Sequence, residues 1–262
     1  MPTAKPKKQA PKAKPEKENL EKANPAKPKK KPNVDQQEIN QFSQYSPTWW
    51  DKEGKFKTLH EINPVRLQYV ESKVELKGKK LLDIGCGGGI FTESAAQANA
   101  ITSGIDLGKD LIDIAKLHLY ESNLKVDYQC IAAEDFADKN AGKFDIITCF
   151  EMLEHVPDPK SIVQACAKLT KPGGHLFFST INRNLKAWAL AIIGAEYIFK
   201  IIPQGSHHYE KLIRPKELHQ WCRDANIDVL EKKGIHYNPL TSRFRIHKNL
   251  DINYLVYAQK PE

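Results

Sequence analysis

Cysteine pairing is missing from this 262-residue chain: Cys86, Cys130, Cys149, Cys166 and Cys222 are odd in number and no two stand in C-x-x-C spacing. No disulfide framework is expected, and the apolar runs around most of them predict buried free thiols in a reducing cytoplasm. No apolar run reaches the roughly 20 residues that span a bilayer. Neither arginine nor serine occurs before Ser43 and no apolar core follows the first residues. Neither a mitochondrial transit peptide nor a secretory signal is therefore expected at the start.

Aromatic residues are absent from positions 1–33, which hold one leucine, eleven lysines and three glutamates. Such a stretch buries too little apolar surface to offset its chain entropy, so residues 1–33 are expected to be a disordered Lys/Pro-rich tail. Its net charge of +8 equals that of the whole chain, leaving 29 basic and 29 acidic residues for the remainder. The folded part is neutral. A solvated appendage, an anionic-surface tether and a nucleic-acid contact are the three readings of the tail. The neutral remainder argues against specific nucleic-acid binding, which would show as salt-dependent affinity lost with the tail.

The whole chain is 40% hydrophobic, and what is present after Val34 alternates strand with helix. Helices are predicted over Val34–Tyr45 and, with Pro64 as its first residue, Pro64–Val74. Strands are predicted at Lys80–Ile84, Ala100–Ile105, Val126–Ile131, Phe144–Phe150 and His175–Thr180, with helices at Ile90–Ala98, Asp110–Ser122 and Lys160–Leu169 between them. Lys171-Pro172-Gly173-Gly174 reads as a turn. A helix over Pro215–Ala225 and strands at Asp228–Tyr237 and Ile252–Gln259 follow. This is the pattern of an α/β fold with a parallel sheet, helices on both faces and an antiparallel closing pair. Trp49 and Trp50 read as a core plug or as part of a lid.

Chemistry concentrates in Leu81-Leu82-Asp83-Ile84-Gly85-Cys86-Gly87-Gly88-Gly89 and in Asp106. A strand, a glycine turn, a helix and an acid at the tip of the next strand form a nucleoside site, the acid placed for the ribose hydroxyls. A dinucleotide fingerprint needs a third glycine where Ile90 stands. Asp83, inside the strand, would repel a pyrophosphate and attract a cationic amino group. A ligand with a ribose, an amino acid end and no phosphate is S-adenosylmethionine.

The same stretch resembles the first motif of the class I, Rossmann-like methyltransferases, whose sheet has seven strands, mostly parallel. Ala133-Glu134-Asp135 resembles the segment bordering adenine. Further motifs narrow the likeness: Trp49-Trp50-Asp51, Ile62-Asn63-Pro64-Val65-Arg66-Leu67, Glu151-Met152-Leu153-Glu154-His155-Val156-Pro157-Asp158-Pro159, Phe178-Ser179-Thr180-Ile181-Asn182-Arg183-Asn184, Gly194-Ala195-Glu196-Tyr197 and His236-Tyr237-Asn238-Pro239. As a set, running from Val34 to the C-terminus, they resemble the ubiquinone-biosynthesis O-methyltransferases. The resemblance implies methylation of ring hydroxyls on polyprenyl catechols and phenols at two pathway steps, beside other enzymes of that pathway. It implies cofactor contacts at Arg66, Gly85, Asp106 and Phe150, where a flexible apolar residue such as methionine would be expected. Asp83, Gly87 and Glu134 complete the expected cofactor set.

Methyl transfer to a phenol needs an in-line approach and a route for the phenolic proton. Glu151, Glu154 and His155 follow the fourth strand; on a helix, Glu151 and His155 would share a face. Two carboxylates and an imidazole suit a divalent ion, with Mg²⁺ favoured, that would lower the acceptor's pKa; the other reading is a polar helix start. In the family that this chain resembles, these three positions are metal ligands. Glu151, His155 and His207 are the catalytic candidates, His207 as a base, a lid contact or a solvated loop histidine. The apolar segment Ala187–Phe199 suits a helix lying in a membrane interface or walling a prenyl tunnel, or an ordinary buried helix. The expected organisation is a domain over 34–262, with a helical cover at 34–78 and an inserted apolar element at 185–214. Its expected place is the cytoplasm, on the anionic surface of the inner membrane.

Overall fold

The computed structural model describes residues 33–189, 209–238, 241 and 243–262, with Met1 and Thr3. In chain order the elements are α1 (Gln36–Ser43), α2 (Lys57–Glu71), β1 (Lys80–Ile84), α3 (Ile90–Gln97), β2 (Ile101–Asp106), α4 (Lys109–Ser122), β3 (Val126–Cys130), α5 (Ala133–Asn140), β4 (Phe144–Phe150) and α6 (Pro159–Leu169). Then come β5 (Thr170–Ile181), the short α7 (Leu185–Ala187), α8 (Pro215–Asp224), β6 (Asp228–Asn238), β7 (Arg243–His247) and β8 (Asn253–Gln259). The expected residues 1–32 of the tail, the segment 190–208 and His207 within it lie outside the described residues, apart from Met1 and Thr3.

The strands form one sheet in the order β3-β2-β1-β4-β5-β8-β6-β7. Pairings from β3 through β5 are parallel, and those of β8 with β5 and β6, and of β6 with β7, are antiparallel. The order reverses at β1 and β4, so a crevice opens beyond their C-terminal ends. Both strands are buried along almost their whole length, which is why they read in the sequence as mainly apolar runs. One face of the sheet packs Leu82, Ile147 and Phe178 against Phe136, Ile162 and Leu218. The other packs Leu81, Ile146 and Phe177 against Ile62, Val70 and Phe91.

The structure differs locally from the sequence reading at four places. Pro64 lies inside α2, which begins at Lys57. The helix tolerates a proline because its buried stripe of Ile62, Asn63, Arg66, Tyr69 and Val70 is set by packing against the sheet and α3, at the cost of one backbone hydrogen bond. The Lys171–Gly174 turn falls within the span of β5 and loops out of its ladder, since Thr170 pairs with Phe144 and His175 with Ile146. Helix α5 and strand β7 have no counterpart in the sequence reading. Helix α5 offers only Ala133, Phe136 and Ala137 as buried residues, and β7 only Phe244 and Ile246 between charged neighbours. Strand β7 makes the sheet eight-stranded.

One buried contact fixes the chain that re-enters after residue 208. Tyr254, fully buried in β8, donates its hydroxyl to the carbonyl of Ile213 at 3.0 Å, and the Ile213 N–H bonds the carbonyl of Ile181 at 3.1 Å. Burial pushes the Tyr254 phenol far above its ordinary range. Tyr254→Phe leaves the Ile213 carbonyl without that partner and should lower stability by about 1–2 kcal/mol. The measurement is the urea midpoint, with a fall in Tm of roughly 2–8 °C.

Candidate active site

The glycine turn is built by what it touches. After β1 the backbone reverses through Gly85 and Gly87 at φ +71° and +53°, a region that side chains with a Cβ rarely adopt. The N–H groups of Gly85 and Cys86 both bond the Ile105 carbonyl, at 2.9 and 3.1 Å, and so tie the turn to β2. A Cβ on Gly85 would stand 2.4 Å from Met152 Cγ. One on Gly87 or Gly88 would strike the Trp49 indole at 2.4 or 2.3 Å. Trp50 donates Nε1–H to the Gly88 carbonyl at 3.1 Å and stacks on His118 with ring centroids 3.5 Å apart. The two tryptophans therefore lie directly on the turn, with Trp49 buried.

Asp106 braces the same turn. Its two oxygens accept from the N–H groups of Gly108 at 2.7 Å and Gly87 at 3.0 Å. Each carboxylate oxygen keeps a second lone pair for a ligand hydroxyl. Burial pushes the Asp106 carboxyl above its ordinary range, and the two N–H bonds offset this only in part. Asp83 is buried, with one oxygen accepting from Thr92 and the other from Thr148, both at 2.7 Å. It links β1 to α3 and β4. Burial raises its carboxyl to about 6 despite those hydroxyls and the nearby Arg66.

The residues after β4 do not begin a regular helix, which corrects the expectation that Glu151 and His155 share a helical face. Glu151 has φ +48°, and only a 3-10 turn, Leu153–His155, follows. The three side chains consequently point to different partners. Glu151 Oε1 accepts from Arg66 Nη2 at 2.6 Å, Ser179 Oγ at 2.6 Å and Asn253 Nδ2 at 3.0 Å. Glu154 is buried and accepts from Thr180 at 2.8 Å; burial and the adjacent Glu151 push its carboxyl well above the ordinary range. His155 Nδ1 lies 3.1 Å from Glu38 Oε2 and its ring stands edge-on to Phe42. Glu38 in turn meets Lys211 at 2.7 Å. Burial opposes ionisation of Glu38, but the bonds to His155 and Lys211 outweigh it and hold its carboxyl below the usual range. Among the described residues no three His, Cys, Asp or Glu side chains form a group that could hold a metal ion. The arrangement therefore does not fit a three-ligand centre on Glu151, Glu154 and His155.

A single cavity of about 650 Å³ joins these parts. At one end it is lined by Gly85, Gly87, Asp106, Leu107, Ala133 and Glu134; at its middle by Arg66, Asp83, Phe150, Glu151 and His155; at the other by Ile235, Tyr237, Phe244, Ile252 and Asn253. That volume is in the range of small-molecule sites. The acid-and-glycine end suits a nucleoside. Glu134 is held by Ser161 at 2.8 Å and Asn33 at 2.9 Å. Phe150 is buried, edge-on to Phe91, with the Arg66 guanidinium 5.3 Å from its ring centre. All the expected cofactor positions thus face one cavity, whereas Asn253, Glu38 and Lys211 had no motif to mark them, and Met152 and Ser179 stood in motifs that assigned them no role. Of the far end, the sequence reading had marked only Tyr237, in the motif His236-Tyr237-Asn238-Pro239.

A family model described as a methyltransferase domain matches residues 60–232. A ubiquinone biosynthesis O-methyltransferase of Nitrosococcus oceani is 52% identical over 230 residues, covering 88% of this chain and 98% of the relative. One of Pectobacterium atrosepticum is 54% identical over 228 residues, covering 87% and 95%. Among solved structures, magnesium protoporphyrin IX methyltransferase from Synechocystis with bound SAH has a TM-score of 0.60 at 14% identity, covering 84% of this chain and 94% of that one. A SAM-dependent methyltransferase from Methanosarcina mazei has 0.57 at 20%, covering 74% and 97%. These two speak to the fold.

The raised Asp83 carboxyl makes stability pH-dependent with a definite sign. Its folded pKa of about 6 exceeds the ordinary 3.8, so its favourable contribution is complete below 3.8 and is lost as pH rises through 6, by about 3 kcal/mol. Asp83→Asn should flatten the stability profile between pH 4 and 7, read as urea midpoints for the two proteins across that range.

Proposed function

The chain belongs to the ubiquinone-biosynthesis O-methyltransferase family, and on that premise we propose how its cavity divides between donor and acceptor. The protein is an S-adenosylmethionine-dependent O-methyltransferase acting in ubiquinone biosynthesis. The observation that carries the division is the continuity of one cavity from Asp106 to the β6–β8 end. S-adenosylmethionine supplies a sulfonium methyl: the O–CH₃ bond forms as the S–CH₃ bond breaks, its electron pair returns to sulfur, and the phenolic proton is released.

In this reading Asp106 receives the ribose hydroxyls on its remaining lone pairs, and Leu107, Ala133, Glu134 and Met152 border the base. Gly85 and Gly87 admit the backbone approach, while Arg66, Asp83 and Phe150 flank the amino acid end. The polyprenyl catechol or phenol enters from the apolar end, so that its ring comes beside Glu151. Held by Arg66, Ser179 and Asn253, the Glu151 carboxylate offers a fixed negative charge beside the hydroxyl that loses its proton, and His155 is the second candidate to take it. Residues 34–78 act as the cover and 185–214 as the substrate- and membrane-facing element. A divalent ion on Glu151, Glu154 and His155 would require all three to leave their present partners, and no step is assigned to it.

Two experiments test this. With labelled S-adenosylmethionine and a short-chain prenyl catechol, the protein should methylate a ring hydroxyl, and Asp106→Ala should weaken S-adenosylmethionine binding at least about tenfold. EDTA in the same assay should leave turnover unchanged; loss restored by Mg²⁺ would reinstate the metal.

The membrane part of the proposal rests on Leu185, 74% exposed just before the apolar segment, and Trp188, 39% exposed at its start. Among the described residues no helix is long and apolar enough to cross a membrane. Peripheral binding at the cytoplasmic face predicts that the protein sediments with anionic vesicles and that deleting 188–202 abolishes it. Equal sedimentation by the deletion would refute the assignment.

A further inference from the structure

The pair Trp49-Trp50 is held from two sides by histidines of different helices. From α2, His60 Nε2 lies 2.9 Å from the Trp49 carbonyl, a contact in which only the ring nitrogen can donate. From α4, the His118 ring lies flat on the Trp50 indole, with 5° between the planes. His118 is itself oriented, because its Nδ1 stands 3.0 and 2.9 Å from the two oxygens of Glu93 in α3. The Glu93 side chain is 2% exposed, and a carboxylate so withdrawn from water needs such a donor. The Trp50 indole donates Nε1–H to the Gly88 carbonyl, and Gly87, one residue earlier, donates its N–H to Asp106. A continuous set of contacts thus runs from a buried carboxylate of α3, through two stacked rings, to the glycine turn and the acid at the tip of β2. Trp50, Glu93 and His118 are not among the residues that line the cavity, so their effect on it passes through the turn.

We propose that His118, oriented by Glu93, is a positioning residue for the methyl donor: by stacking on Trp50 it holds the indole N–H on Gly88 and so sets the glycine turn for the cofactor. The proposal rests on the S-adenosylmethionine-dependent reading above and names residues outside the cavity that support its donor end. The turn has little stiffness of its own. Gly87, Gly88 and Gly89 are consecutive, the first and last at positive φ, and glycine has more backbone freedom to lose than any other residue. The Gly85 and Cys86 end is tied to β2 by the Ile105 carbonyl. The Gly88 end is held by Trp50 and, at the longer distance of 3.4 Å, by the Tyr128 hydroxyl on the Gly89 carbonyl. Freeing Trp50 lets the chain at Gly87 and Gly88 rotate, and the Gly87 N–H that fixes one Asp106 oxygen shifts with it. The ribose hydroxyls then meet a carboxylate whose direction is no longer set, and the cost of setting it falls on cofactor binding. None of these contacts involves β6 or β7, which line the acceptor end, so the loss is confined to the donor.

Two substitutions each break one link and keep its neighbours. Trp50→Phe keeps an aromatic ring on His118 without the N–H for Gly88, and His118→Gln keeps an N–H for Glu93 without the ring against Trp50. Calorimetric titration with S-adenosylhomocysteine should give a Kd about fivefold or more weaker for either variant. The double variant should be no more than about twofold weaker than the weaker single one, because both changes break the same chain of contacts. In turnover, KM for S-adenosylmethionine should rise while KM for a short-chain prenyl catechol stays within about twofold of the wild-type value. An unchanged Kd in either folded single variant overturns the role of His118, and so does a catechol KM that rises as much as that of the donor. Single effects that multiply in the double variant overturn the link through Trp50. Should one variant lack a cooperative thermal transition, the Kd and the two KM values of the other decide the matter by the same criteria. A wild-type protein that binds no S-adenosylhomocysteine instead overturns the functional reading on which the proposal stands.

Discussion

The Glu151 carboxylate is the junction on which the reacting end of the cavity depends. One oxygen accepts from Arg66 of α2, Ser179 of β5 and Asn253 of β8. The residue itself follows β4 in a left-handed conformation that costs a non-glycine residue about 1–3 kcal/mol. Four elements far apart in sequence thus converge on one atom. Arg66 and Glu151 have side chains only 6% and 15% exposed, so removing either partner would strand a charge, at about 3–5 kcal/mol. The ion pair specifies position more than it adds stability, and it holds α2, the inner wall of the cover, against the sheet.

The donor end is organised by a different device. There backbone N–H groups and buried carboxylates hold a glycine turn whose surface is occupied by Trp49 and Met152. The glycines are needed twice over, for positive φ and for the absence of a Cβ where an indole lies. Trp49 is buried, and its indole lies against Gly87 and Gly88. Between the two ends, the cavity is continuous, and its chemistry grades from carboxylate and amide to apolar.

Most of the parallel half of the sheet could be read from the sequence because β1 and β4 are buried on both faces, and buried strands leave apolar runs bounded by turns. The turn itself, with Asp106 twenty residues on, identified the donor for the same reason: its chemistry is local. Strand β7 and helix α5 escaped because each buries only two or three side chains, too few to set a period against the charged residues between them. The helical face expected for Glu151 and His155 failed because spacing alone cannot show that Glu151 bends into the left-handed region, after which i and i+4 no longer coincide.

The sequence by itself determined the fold class, the glycine turn, the ribose acid and the family, all of which depend on residues adjacent or nearly so along the chain. Only the tertiary structure decided what Glu151, Glu154 and His155 do. Their partners Arg66, Ser179, Thr180, Asn253 and Glu38 lie between 26 and 117 residues away, and no periodicity reports a hydrogen bond over such a separation.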